Sequence, residues 1–169
     1  MRFFYDTEFI EDGTTIELVS IGVVAEDGRE YYAISTDFDP KAANPWVREN
    51  VLNQLPGPNS PYWMPREQIR EQLAEFLMPT GNDRPELWAW VGAYDHVVLA
   101  QLWGSMADLP NQMPHYTREL RQYWEMAGRP RIPRQYRRAH NALADARHNK
   151  IRFDTIRKVL PLPGDEVEE

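Results

Sequence analysis

Phe3-Phe4-Tyr5-Asp6-Thr7-Glu8-Phe9-Ile10 opens the chain with an apolar, β-rich run that turns acidic at two alternate positions. Residues 2–6 read as a short strand. Alternate side chains on a strand share a face, so Asp6 and Glu8 aim at one point near its end. Two like charges held together raise a pKa or demand a cation. An acid at a strand end is ordinary by itself, and the weight of this stretch comes from the residues it can be joined to downstream.

Residues 17–25 and 30–35 read as two further strands. Glu11-Asp12-Gly13 and Glu26-Asp27-Gly28 mark the turns between them, and Asp27-Gly28 between β-rich runs is a hairpin signal. The chain therefore starts as an antiparallel meander. Asn44-Pro45 reads as a helix cap with proline in the first turn, opening a helix that runs to about Gln54. Pro56, Gly57, Pro58 and Pro61 enforce a loop, and Pro65 begins the next helix. Its dry side carries Ile69, Leu73, Phe76 and Leu77, and Arg66, Glu67, Arg70 and Glu71 begin its wet side. Pro79 and Gly81 stop it.

Residues 86–91 read as a strand broken at Gly92, and Tyr94 to Trp103 has helical spacing through Val98, Leu99 and Leu102. This unit presents Asp95 near the carboxyl end of a strand, where open sheets commonly place their chemistry. A helix is expected over 117–127. The last covers about 141–158, with Leu143, Ala146, Ile151 and Ile156 among its packed residues. The expected organisation is one domain over 1–160 and an acidic, flexible tail over 161–169.

Composition narrows the chemistry. The 169 residues are 42% hydrophobic, carry a formal net charge of -7 and include no cysteine. Metal binding is left to Asp, Glu and His. No segment approaches the roughly 18 apolar residues of a membrane span. The N-terminal residues leave no room for a secretory leader, so a cytoplasmic location and no membrane partner are expected. General nucleic-acid binders are basic. Here the basic residues are local, with Arg129, Arg131, Arg134, Arg137 and Arg138 between Gly128 and His140. Arg134, Arg137 and Arg138 are the candidates for phosphate contact; a solvated loop explains the same composition equally well.

Asp145 sits among Ala142, Leu143, Ala144 and Ala146, where an acid needs a reason, and His140 lies five residues before it. With Asp6, Glu8 and Asp95 these form an ordered set of four acids and a histidine. Such oxygen-rich groups suit Mg²⁺ or Mn²⁺ better than zinc. Two ions about 4 Å apart can activate water and stabilise a leaving oxygen in phosphodiester hydrolysis. His140, placed before a helix, suits general-base work toward that water. Each member has a plainer reading: Asp6 as a strand-end acid, Asp95 as a helix first-turn acid, His140 as a surface residue. There is no His-Glu-x-x-His, no nucleophile elbow and no Gly-x-x-x-x-Gly-Lys loop. His96 reads as a surface or capping residue, His148 as a rim residue at most, and His115 has no role.

Tyr5-Asp6-Thr7-Glu8-Phe9, Ala93-Tyr94-Asp95 and His140-Asn141-Ala142-Leu143-Ala144-Asp145-Ala146 resemble the motifs of the ribonuclease H-like superfamily, in its group of 3'-to-5' exonucleases with four acids and a histidine. The resemblance implies that Asp6, Glu8, Asp95 and Asp145 hold two Mg²⁺ or Mn²⁺ ions and that His140 is the base. It implies an α/β fold, a mixed five-stranded sheet with three antiparallel strands first and helices on both faces; the fifth strand falls near 107–109. The opening through Gly13 is most similar to the polyadenylate-specific exoribonucleases of actinobacteria, which implies an RNA substrate, adenine preference and a homodimer. By the same resemblance Phe9 and Ile10 help hold the terminal base, with core packing as the competing role for Phe9; Tyr94 and Trp90 are further stacking candidates. Val91 stands where such enzymes often carry Asn. The expected activity is release of nucleoside monophosphates from the 3' ends of short single-stranded RNA. DNA trimming, or nucleic-acid binding without catalysis, are the alternatives.

Overall fold

In the computed structural model, which describes residues 1–135 and 140–163, the opening strand is longer than the apolar run suggests. Strand β1 (Arg2–Glu11) continues through Asp6, Thr7 and Glu8. It pairs antiparallel with β2 (Ile16–Ala25), Asp6 opposite Gly22 and Glu8 opposite Ser20, and a bulge follows Glu8. Bulges bend a strand and re-aim its side chains. β3 (Glu30–Ser35) returns antiparallel through a turn at Gly28, whose φ of 91° favours glycine.

The expected α/β class and opening meander are present, but the sheet of the described residues has six strands, not five, in the order β4-β3-β2-β1-β5-β6. The additions are edge strands of two residues each, β4 (Trp63–Met64) and β6 (Arg118–Glu119), too short to leave a periodic signal. β5 (Glu86–Ala89) lies parallel to β1. No strand forms near 107–109; Met106–Asp108 is a short 3-10 turn boxed by Ser105 and Asp108.

Five α-helices cover this sheet among the described residues: α1 (Pro45–Asn50), α2 (Arg66–Leu77), α3 (Ala93–Ala100), α4 (Leu120–Met126) and α5 (Ala142–Arg157). The Asn44 side chain accepts the Val47 N–H at 2.9 Å at the start of α1, and Asn141 accepts that of Ala144 at 3.1 Å at the start of α5. The alternation of β1 divides the core. Phe3 and Tyr5 pack with Ile69 and Leu73 of α2 and Val98 and Leu99 of α3. Phe4 packs on the other face with Trp88, Leu120, Tyr123 and Phe153. Phe153 anchors α5 there, its ring 5.0 Å from Phe4 and 4.9 Å from Trp88.

The inward row of α5 is Ala142, Ala146, Asn149, Phe153 and Ile156, spaced alternately four and three residues. Ile151, expected to pack, lies off that row and is exposed. A buried polar Asn149 breaks the apolar pattern and hides the true face.

Among the described glycines, the one most closely overlaid by backbone is Gly22, where α5 crosses β2. A Cβ added at Gly22 would stand 2.3 Å from the backbone nitrogen of Leu143 and 2.4 Å from the carbonyl carbon of Ala142. Backbone cannot give way as a side-chain tip can. Gly22→Ala is therefore expected to push the start of α5 off the sheet and cost about 3 kcal/mol. Urea unfolding followed by circular dichroism measures it; a midpoint equal to that of the unmodified chain would refute the constraint.

Candidate active site

Asp6 and Glu8 lie on the face of β1 that α5 covers, and α5 lowers Asp145 onto them. One carboxylate oxygen from each of Asp6, Glu8 and Asp145 falls within 4.8 Å of the others. Asp145 is steadied from both sides. Gln135 Nε2 donates to its Oδ1 at 2.8 Å, and the Asn141 backbone N–H donates to Oδ2 at 3.2 Å.

Asp95 stands beside this trio. It occupies the first turn of α3, only 6% exposed, and its Oδ1 accepts from the Thr7 N–H at 2.8 Å and the Thr7 hydroxyl at 2.7 Å. The pairing of β1 with β5 ends at Phe4. Asp95 thus satisfies an N–H of β1 beyond the reach of its parallel neighbour, while its charge acts on Asp6 and Glu8. Glu119 shapes the turn that delivers it. The two Glu119 oxygens accept the N–H groups of Val91 and Gly92 at 2.8 and 3.0 Å. Val91 is left-handed at φ 58°, a conformation costly for a β-branched residue and easier for an asparagine.

Crowding shows in the titration of these groups. Burial, then the charges of Asp95, Glu8 and Asp145, hold Asp6 well above the ordinary carboxylate range. Burial, then Asp145 and Asp95, push Glu8 from 4.5 to about 8. Burial lifts Asp95 from 3.8 to about 6 against the opposing Thr7 hydrogen bonds. An all-oxygen donor set in which Asp6 and Glu8 resist ionising fits a hard divalent cation.

His140 is exposed, left-handed at φ 66°, and its ring packs edge-on against Trp46 of α1 at 4.7 Å. Phe9 and Tyr94 stack on each other, centroids 5.8 Å apart and planes 10° from parallel, and Tyr94 is exposed. Ile10 is buried with Val19, Ala43, Val47 and Val51. Trp90 meets Trp124 at 5.8 Å. Arg134 is exposed, whereas Arg137 and Arg138 lie outside the described residues. His148, expected at the rim at most, is buried. His96 is tied through Nδ1 to the Thr117 hydroxyl at 3.1 Å, and that hydroxyl also meets Tyr5.

Sequence reading missed Thr7, Glu119, Gln135, Asn149 and Trp46. Only Asn149 left a usable signal, a polar residue four after Asp145 and so on the same helix face.

The mixed sheet is of the ribonuclease H-like kind, and its carboxylate cluster offers the oxygen donors a divalent cation takes. A solved structure similar to the chain is S. pombe Pop2p in its Mg²⁺ and Mn²⁺ bound form, with a TM-score of 0.55 and 14% identity over 93% of this chain and 82% of that one. A family model described as the 3'-5' exoribonuclease Rv2179c-like domain matches residues 1–157, and the chain belongs to that family. It is 64% identical to the 3'-5' exoribonuclease Rv2179c of Mycobacterium tuberculosis H37Rv, over 92% of this chain and 93% of the relative. Identity and coverage are the same for the 3'-5' exoribonuclease MT2234.1 of M. tuberculosis CDC 1551 / Oshkosh.

The raised carboxyls fix a sign. Folded pKa values above the unfolded ones mean that the metal-free folded state binds more protons, so its stability is full below the unfolded pKa and falls as pH rises through the folded one. For Glu8 that window runs from 4.5 to about 8. In chelator, thermal stability should fall across it, and Glu8→Gln should flatten the slope. Melts over this pH range check it; a metal-free stability that rises toward pH 8 would contradict the electrostatics.

Proposed function

We propose that this chain is a metal-dependent 3'-to-5' exoribonuclease that releases nucleoside monophosphates from single-stranded RNA ends. The observation that carries the reading is the meeting of Asp6, Glu8 and Asp145 oxygens within 4.8 Å, in a chain whose family is described as 3'-5' exoribonuclease. With Asp95 beside them, these residues would hold two Mg²⁺ or Mn²⁺ ions. When bound, the ions supply an activated water, charge stabilisation at the scissile phosphate and screening of four clustered carboxylates.

The remaining work falls to the chain. His140, before the cap of α5, takes the proton of the attacking water as the bond to the preceding 3' oxygen breaks. Trp46 supports its ring on one side. Phe9 and Tyr94 offer aromatic surface for the terminal base; stacking tolerates any base, so adenine preference would need polar contacts in addition. Arg134, Arg137 and Arg138 are assigned to backbone phosphates, which an acidic protein must hold by a local basic patch. Adenine preference, a homodimer and a cytoplasmic location complete the proposal; no helix of the described residues is long and apolar enough to cross a membrane.

Time courses on matched RNA and DNA strands test the substrate class. RNA should shorten from its 3' end and DNA more slowly; equal rates would overturn the ribonuclease assignment. Asp6→Asn should keep the native circular dichroism and retain under about a tenth of wild-type turnover at saturating Mg²⁺, as expected of a ligand rather than a packing group. His140→Ala should still bind metal and lose about 10²- to 10⁴-fold in rate. Single-turnover assays with a parallel Mn²⁺ titration measure both; an His140→Ala enzyme of normal rate would remove His140 from the chemistry.

A further inference from the structure

Arg152 lies on the same face of α5 as Asp145, seven residues on, and its setting differs from that of its basic neighbours. Arg147 pairs with Glu30, its Nε 2.7 Å from Oε1, and Lys150 pairs with Asp154 at 2.7 Å. Those charges are spent at the surface. Arg152 is gripped by neutral groups. Its Nη1 donates to Asn149 Oδ1 at 2.7 Å, and its guanidinium lies over the Trp90 ring at 4.3 Å from the centroid. Asn149, fully buried, donates in turn from Nδ2 to the Tyr5 carbonyl at 2.9 Å, and Tyr5 directly precedes Asp6. An amide and an indole face fix the position of the guanidinium without cancelling its charge. That charge acts on both Asp6 and Asp145.

We propose that Arg152 is a positioning residue that serves as a resident counter-cation: held by Asn149 and Trp90, it lets the carboxylates of Asp6 and Asp145 gather before any metal arrives, and it weakens the grip of the assembled site on divalent ions. The inference rests on the metal-dependent reading above and adds a residue to it. Its physical content is a pair of opposite effects from one charge. A fixed cation near clustered anions stabilises the empty site, and the same cation repels an incoming Mn²⁺. A residue that merely supports the fold would move both quantities in one direction.

Arg152→Gln removes the charge and keeps a hydrogen-bonding amide, and Arg152→Lys restores the charge on a different frame. Thermal melts in chelator and calorimetric titration with Mn²⁺ read the two sides. Arg152→Gln should melt lower than wild type in chelator and yet bind Mn²⁺ about 3- to 10-fold more tightly, the scale of removing one like charge that acts through a water-like dielectric of about 80. Arg152→Lys should return both values toward wild type. Mn²⁺ binding by Arg152→Gln that is unchanged or weaker overturns the proposal while leaving the metal-dependent reading standing. Wild type that binds no Mn²⁺ overturns both. If Arg152→Gln is unfolded in chelator, recovery of native circular dichroism on adding Mn²⁺ supports the proposal, and failure to recover overturns it.

Discussion

The site depends on how closely α5 can lie upon β1 and β2. Gly22 is the point of contact, where the helix backbone occupies the space a side chain would take. That approach brings Asp145 to Asp6 and Glu8 and lets Asn149 reach the Tyr5 carbonyl. It also explains why β1 can run on where β5 stops. Beyond Phe4 the Tyr5 carbonyl is taken by Asn149 from α5, and the Thr7 N–H by Asp95 from α3. Side chains of two helices thus stand in for a strand, and the gap they fill is where the carboxylates converge. Buried backbone groups must be paired, and here the pairing and the chemistry draw on the same residues.

The arrangement stores electrostatic free energy. Glu8 is buried and stands among other carboxylates, a poor place for a negative charge, and its pKa reports this. Local compensation is visible in the Thr7 donors to Asp95, the Gln135 and Asn141 donors to Asp145, and the nearby guanidinium of Arg152. Backbone strain at Val91 and the left-handed His140 lie in the two segments that lead into Asp95 and Asp145. Local departures from favourable conformation gather where structure is over-determined by packing, and functional sites are the common instance.

Much of this was legible in the chain itself. The β-rich run over 30–35 coincides with β3, and Pro65 directly precedes α2, because their patterns and breakers agree. The trio was legible because Asp6 and Glu8 share a strand face and Asp145 is an acid among alanines. What stayed hidden has physical causes. Asp6, Thr7 and Glu8 interrupt the apolar run, so β1 looked half its length. β4 and β6 are too short for a period and exist only through their neighbours in the sheet. Asn149 replaced an apolar residue on the inner row of α5, which shifted the expected face onto Ile151. Ile10 follows the bulge, and its burial with Val19 and Val47 depends on a register that sequence spacing does not contain.

The central claim is that Asp6, Glu8 and Asp145, with Asp95 beside them, form one divalent-cation site. Diffraction from crystals grown with Mn²⁺ and a short RNA, collected at a wavelength where manganese scatters anomalously, tests it most directly. The account predicts anomalous density bounded by the carboxylates of Asp6, Glu8 and Asp145, lost in Asp6→Asn crystals. Manganese bound elsewhere, with this cluster empty in crystals of a protein that degrades RNA, would contradict it.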